Sequence, residues 1–122
     1  MLTKHNFNII RGVEFSDTTI LVNSLSGKYN FPADGVSIVI RDGLTDEPIL
    51  DVPCTVNQVA DSNGVNWNCE VSFTITAEQT ALLPLTKYEG YTAVGCKYWY
   101  KIVYPTGQER KLGGGQLFVT ES

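Results

Sequence analysis

One histidine and three cysteines in 122 residues leave little material for chemistry. With His5 as the only imidazole, a Ser-His-Asp triad would have to use a residue near the N-terminus, and no nucleophile-elbow sequence accompanies it. Cys54, Cys69 and Cys96 are too few and too widely spaced for a disulfide framework or a zinc knuckle. Charge is also scarce, at 18 % of residues against the usual ~25 %. Nine Lys and Arg, scattered along the chain, face thirteen Asp and Glu for a net charge of −4. That balance does not supply the clustered cationic face of a sequence-independent nucleic-acid binder. No apolar run approaches the ~18 residues of a membrane span. Residues 1–6 hold no apolar segment of a signal peptide, and there is no Asn-x-Ser/Thr sequon. The expectation is synthesis in a reducing cytosol, with no metal, cofactor, membrane or nucleic acid involved.

What is present is a globular composition, 43 % hydrophobic and 11 % aromatic. The length suits one domain, and such a domain buries roughly two thirds of its unfolded surface. Turn signals recur at Ser24-Leu25-Ser26-Gly27, Asp34-Gly35, Asp42-Gly43, Ser62-Asn63-Gly64, Pro105-Thr106-Gly107 and Gly113-Gly114-Gly115. They cut the chain into strand-length pieces, as in sandwiches and barrels. Trp67, Cys69, Val71, Phe73 and Ile75 alternate with polar residues, which marks a half-buried strand. Cys54 and Val56 share a parity on a neighbouring strand across the Asn63-Gly64 turn. Val36, Ile38 and Ile40 form a second inward face, with Val39 on the opposite side. Cys96, Tyr98, Tyr100 and Ile102 form a third, with Lys97, Trp99 and Lys101 outward. Two more strands belong in residues 9–22, with either Phe15 and Leu21 or Ile20 and Val22 facing in, and a bulge near Asp17. A final strand carries Leu117, Phe118 and Val119. The exception is a short helix near 77–83, opened by the capping-box spacing Thr76 to Gln79 and stopped by Pro84. The fold class read from this pattern is all-β: an antiparallel, Ig-like or jelly-roll-like β-sandwich of about seven or eight strands.

Several groups invite a chemical reading and have a plainer one. Asp42, Asp46 and Glu47, and Asp61 with Asn63, could offer oxygen ligands, yet lack the spacing of a calcium loop and suit tight turns. Cys54 and Cys69 share inward parity and could lie close, with buried free thiols as the ordinary alternative. The three glycines at 113–115 lead into a strand, not a phosphate loop, which favours a bulge or a close backbone approach. Trp99 has outward parity and lies roughly opposite Gly113 and Gly114. It either marks a partner surface or covers the glycines. No catalytic residue is expected.

The order of the motifs resembles a known family. Ile10-Arg11-Gly12-Val13-Glu14-Phe15 resembles an Arg-Gly-Asp-x-Phe opening, with Val13 in place of Asp. Tyr29-Asn30-Phe31-Pro32-Ala33-Asp34-Gly35-Val36 resembles a strand entry, followed by Ile38-Val39-Ile40-Arg41-Asp42. Then come Val71-Ser72-Phe73-Thr74-Ile75-Thr76, Gln79-Thr80-Ala81-Leu82-Leu83-Pro84, Tyr98-Trp99-Tyr100-Lys101-Ile102 and Gly115-Gln116-Leu117-Phe118-Val119. Together they are similar to the small β-sandwich domain of tailed-bacteriophage virion proteins, in particular the N-terminal domain of lactococcal-type baseplate upper proteins. The resemblance implies a non-enzymatic structural component, located in the virion after synthesis in the host cytoplasm. Its partners would be other virion proteins, with many copies or a homo-oligomer in the particle. The last strand falls near residue 120, so the expectation is a stand-alone module without stalk or receptor-binding head. That leaves a tail or baseplate adaptor or fibre-attachment module, or a capsid decoration protein. A carbohydrate-binding module stacking glycans on Trp99 is a separate class.

Attachment is expected through surface residues. Residues 1–8 read as an N-terminal arm holding Leu2 and Phe7, and 9–122 as the sandwich domain. Ordering the arm costs about 1–2 kcal/mol per residue. Burying Leu2 and Phe7 returns roughly 1.5–3 kcal/mol each, so the arm would need edge pairing on a neighbour or symmetric copies around it. Trp99 and Phe118, both of outward parity, offer the second surface.

Overall fold

The computed structural model describes residues 5–24, 34–60, 64 and 66–121, with residues 21–24 as backbone. Ten strands and one helical turn occur among them: β1 (Phe7–Ile10), β2 (Phe15–Ser24), β3 (Val36–Arg41), β4 (Pro48–Pro53), β5 (Thr55–Ala60), β6 (Trp67–Ile75), α1 (Ala77–Thr80), β7 (Lys87–Glu89), β8 (Thr92–Val94), β9 (Cys96–Val103) and β10 (Glu109–Thr120). The fold is all-β. A five-stranded sheet runs β1-β10-β9-β3-β4, a three-stranded sheet runs β2-β6-β5, and β7-β8 is a separate hairpin. The strand number exceeds the expected seven or eight, partly because β7 and β8 are three residues each. Only Cys54 separates β4 in the larger sheet from β5 in the smaller one.

Alternation places the core where the sequence puts it. Val36, Ile38 and Ile40 on β3, Cys69, Val71, Phe73 and Ile75 on β6, and Cys96, Tyr98, Tyr100 and Ile102 on β9 are all buried in one cluster fed by both sheets. In β2 the register shifts between Ile20 and Val22, so the bulge lies beyond Ile20 and not near Asp17. Phe15 is half-buried against the core, whereas Ile20 is exposed. The hairpin of β5 and β6 closes with Ala60 opposite Trp67. Asn63 in its turn, residues 25–27 of the turn that follows β2, the residues Tyr29 to Ala33 and Leu2 lie outside the described residues.

The helix is a single turn with the expected capping box. The Thr76 hydroxyl accepts from the Gln79 amide at 3.2 Å, and the Gln79 side chain accepts from the Thr76 amide at 3.0 Å. Thr80, fully buried, satisfies its hydroxyl across to the β1–β2 turn: it accepts from Gly12 N–H and lies 3.0 Å from the carbonyls of Val13 and Ala77. A hydroxyl is buried without a desolvation cost only when so partnered.

The largest departure is at the N-terminus. Residues 7 and 8 are not part of an arm: β1 pairs with β10, and in parallel, with Phe7 opposite Leu117 and Ile9 opposite Val119. The sheet is therefore not purely antiparallel. Phe7 is only 6 % exposed; its ring meets Phe15, Phe73 and Tyr98 with centroids 5.3–6.1 Å apart. The sequence gives no period for so short a strand, and a parallel partner more than a hundred residues away leaves no local signal. Phe7 is thus a core residue and not an interface candidate.

Removing a buried Phe ring usually costs about 3–5 kcal/mol, a large share of the roughly 5–15 kcal/mol that holds a domain together. Phe7→Ala is expected to lower the unfolding free energy by that amount, read as a fall in the urea midpoint at unchanged m-value. Deleting residues 1–8 should destabilise at least as much. A truncated protein with native stability would contradict the core assignment.

Candidate protein-interaction face

β9 runs through the middle of the larger sheet, and its odd-numbered residues from 97 to 101 point away from the core. Cross-strand pairing carries the same face outward: Val39 opposite Trp99, Arg41 opposite Lys97, and Lys111 opposite Lys101. The face is concave and encloses an open depression of about 1540 Å³ between β4, the β7–β8 hairpin and β10. Val39, of outward parity, is nevertheless 8 % exposed, because it lies on the floor of this depression beside Trp99.

The floor is shaped by glycine. In β10 the register slips between Leu112, opposite Tyr100, and Gly115, opposite Tyr98, so Gly113 and Gly114 together face Trp99. Such a bulge bends the strand and increases its twist. Gly114 has φ of 126°, and a β-carbon there would lie 2.6 Å from the Tyr98 carbonyl oxygen. A β-carbon on Gly115 would run into the His5 carbonyl. The segment before β1 uses that clearance. His5 N–H donates to the Gly114 carbonyl at 3.0 Å, the Tyr98 hydroxyl donates to the His5 carbonyl, and the Gln116 N–H donates to the Asn6 side chain at 2.9 Å. Both expectations for the three glycines, a bulge and a close backbone approach, are met. His5 itself is exposed, with its ring 4.9 Å from Phe7.

Trp99 is half-buried and gripped by cations. The Lys111 ammonium lies 3.9 Å from its ring centroid and the Arg41 guanidinium 5.5 Å. Each such contact is worth about 0.5–1 kcal/mol at an exposed site. Arg41 also donates to the Asp46 carbonyl at 3.0 Å, while its Nε is buried with no hydrogen-bond partner. Lys101 pairs with Asp51 at 2.8 Å and Lys97 with Asp46 at 3.6 Å. Burial would raise the Asp51 carboxyl, but hydrogen bonds from Lys101 and Ser37 outweigh it and hold its pKa below the usual value. Five of the nine basic residues, Arg41, Lys97, Lys101, Arg110 and Lys111, line the depression against Asp46, Asp51 and Glu109. The basic residues are scattered in sequence and gathered by the fold, because β3, β9 and β10 are neighbours. The charge reading from the linear sequence missed this face.

Phe118 is half-buried, its ring 3.2 Å from where a β-carbon on Gly95 would sit; it closes the β1 side of the larger sheet next to the hairpin. The hairpin was not legible. Gly90, with φ of 64°, takes the first central position of its tight turn, where glycine is favoured, and displays Tyr88 and Tyr91, 72 % and 105 % exposed. Two tyrosines flanking an acidic residue and a glycine were the available signal.

The other candidates resolve locally. The Asp42 carboxylate accepts from the amides of Leu44 and Thr45 at 2.8 and 3.1 Å, and these backbone bonds lower its pKa. Asp46 follows with a positive φ of 61°. Among the described residues no three His, Cys, Asp or Glu side chains are grouped to hold a metal ion. Gln58 stands opposite Cys69, so Cys54, four residues away along the chain, is not its cross-strand neighbour. All three thiols are free. Burial pushes Cys54 up to about 12 and Cys69 and Cys96 to about 11. No protein-family model matches the chain, and no curated protein matches it either.

These buried acids fix a pH dependence. Burial also raises Tyr98 to about 12 and Tyr100 further. Above about pH 9, the ordinary thiol value, the unfolded chain loses protons that the folded chain keeps, so stability falls as pH rises. The urea midpoint should be level from pH 7 to 8.5 and drop steadily between pH 9 and 11. The native thiols should resist alkylation at pH 8 and react once unfolded. A midpoint that rises above pH 9 would contradict this account.

Proposed function

We propose that this chain is a non-enzymatic structural component of a bacteriophage virion, docking onto other virion proteins as a tail or baseplate adaptor or fibre-attachment module. Its two larger sheets would form an Ig-like or jelly-roll-like sandwich, with the outer face of the five-stranded sheet as the docking surface. The motif order supports the virion reading. The observation that carries the docking reading is the depression that holds Trp99, where an aromatic ring and five basic residues line one hollow of a chain with net charge −4. Buried aromatic and Arg anchors dominate most protein interfaces. A capsid decoration protein would use the same face.

The carbohydrate reading is less well supported. A sugar platform needs an open aromatic face, and Lys111 stands 3.9 Å over the Trp99 ring.

Incorporation into particles tests the reading. A Trp99→Ala/Lys111→Ala double variant should keep its β-sheet circular dichroism and yet be incorporated at least tenfold less than the native chain. Tyr91→Ala, at the hairpin tip, should incorporate normally. The opposite pattern would move the docking surface to the hairpin.

A further inference from the structure

The arrangement of charge on the concave face is unusual for a sheet. Like charges directly opposite one another on neighbouring strands destabilise a pair. Here two such pairs occur, Arg41 opposite Lys97 and Lys111 opposite Lys101. They flank Trp99 at either end, since Lys97, Trp99 and Lys101 are successive same-face positions on β9. At about 3.3 Å per residue the backbone positions of the two pairs stand roughly 13 Å apart along the strand, while the Lys111 and Arg41 charges lean in over the Trp99 ring. Asp46 and Asp51 offset them only in part, each reaching one lysine, and the buried Arg41 Nε has no acceptor.

We propose that the face binds an acidic, extended segment of a partner protein. This rests on the docking reading and adds the chemistry of the partner. An extended segment projects alternate side chains to one side. Carboxylates at positions i and i+4 would draw the two cationic pairs toward its ends, and an apolar side chain at i+2 would take the place over Trp99 that Lys111 holds in the free chain. The approaching carboxylates relieve the cross-strand repulsion. A short acidic segment senses this local face. A long polyanion would also meet the acidic remainder of the chain, which disfavours nucleic acid.

The test uses the full chain and a synthetic peptide, Glu-Glu-Ser-Leu-Ser-Glu-Glu, by titration calorimetry. Binding is expected at low ionic strength and should weaken steeply as salt is raised toward 1 M, where screening shortens to about 3 Å. Lys97→Glu/Lys111→Glu should weaken it at least tenfold. Asp51→Asn, which frees Lys101 from its partner, should tighten it, and this opposite sign cannot come from misfolding. Three results would overturn the proposal: no binding of the acidic peptide, equal or tighter binding of the same peptide with Lys for Glu, or tighter binding of oligothymidylate. If the acidic peptide fails while the Trp99→Ala/Lys111→Ala variant is still excluded from particles, the acidic partner is wrong and the docking surface stands.

Discussion

The close passage of backbone past Gly113, Gly114 and Gly115 is the constraint on which the rest depends. Three things happen there in the space side chains would occupy. The strand bulges so that two residues face Trp99, the His5 carbonyl comes in over Gly115, and β1 continues from that point as a parallel partner of β10. Without the bulge, Lys111 and Gln116 would not both keep outward parity on a strand whose two halves pair with β9 in different registers. Without the clearance at Gly115, the Tyr98 hydroxyl would lose its acceptor and Phe7 its route into the core.

The same constraint separates the two faces of the sheet. Inward, the bulge leaves Leu112 and Leu117 packed on the core. Outward, it deepens the depression and sets Trp99 against glycine instead of side chains. Mostly exposed ion pairs such as Lys97–Asp46 contribute little to stability. The cations around Trp99 are therefore better understood through what they can attract than through what they hold together. The fold's stability resides in the shared core of the two sheets, and its reactive groups are suppressed there: Cys69 and Cys96 are buried, Cys54 is half-buried, and none forms a disulfide.

The sequence was legible wherever a side chain reported its own surroundings. Alternation in β3, β6 and β9 located the core, and the Thr76–Gln79 box located the helical turn. It was illegible where meaning depended on a distant strand. Phe7 looked like an arm residue because its partner Leu117 lies at the other end of the chain. Arg41, Lys97 and Lys111 looked scattered because only the strand order β10-β9-β3 brings them together. Val39 looked exposed because parity does not convey curvature. Trp99 was the one member of the face that stood out, and its local reading as a cover for the glycine bulge agrees with Gly113 and Gly114 facing it. The exposed Tyr88 and Tyr91 went unread because strands of three residues are too short for a period.

The account's central claim is that the concave face, and not the outer face of the β2-β6-β5 sheet, meets the partner. Imaging an assembled particle at a resolution that traces side chains tests it most directly. The account predicts neighbouring protein density over Trp99, with acidic side chains beside Lys97, Lys101 and Lys111. Solvent over Trp99, with the neighbour seated instead on the Ser72 and Thr74 side of the smaller sheet, would contradict it.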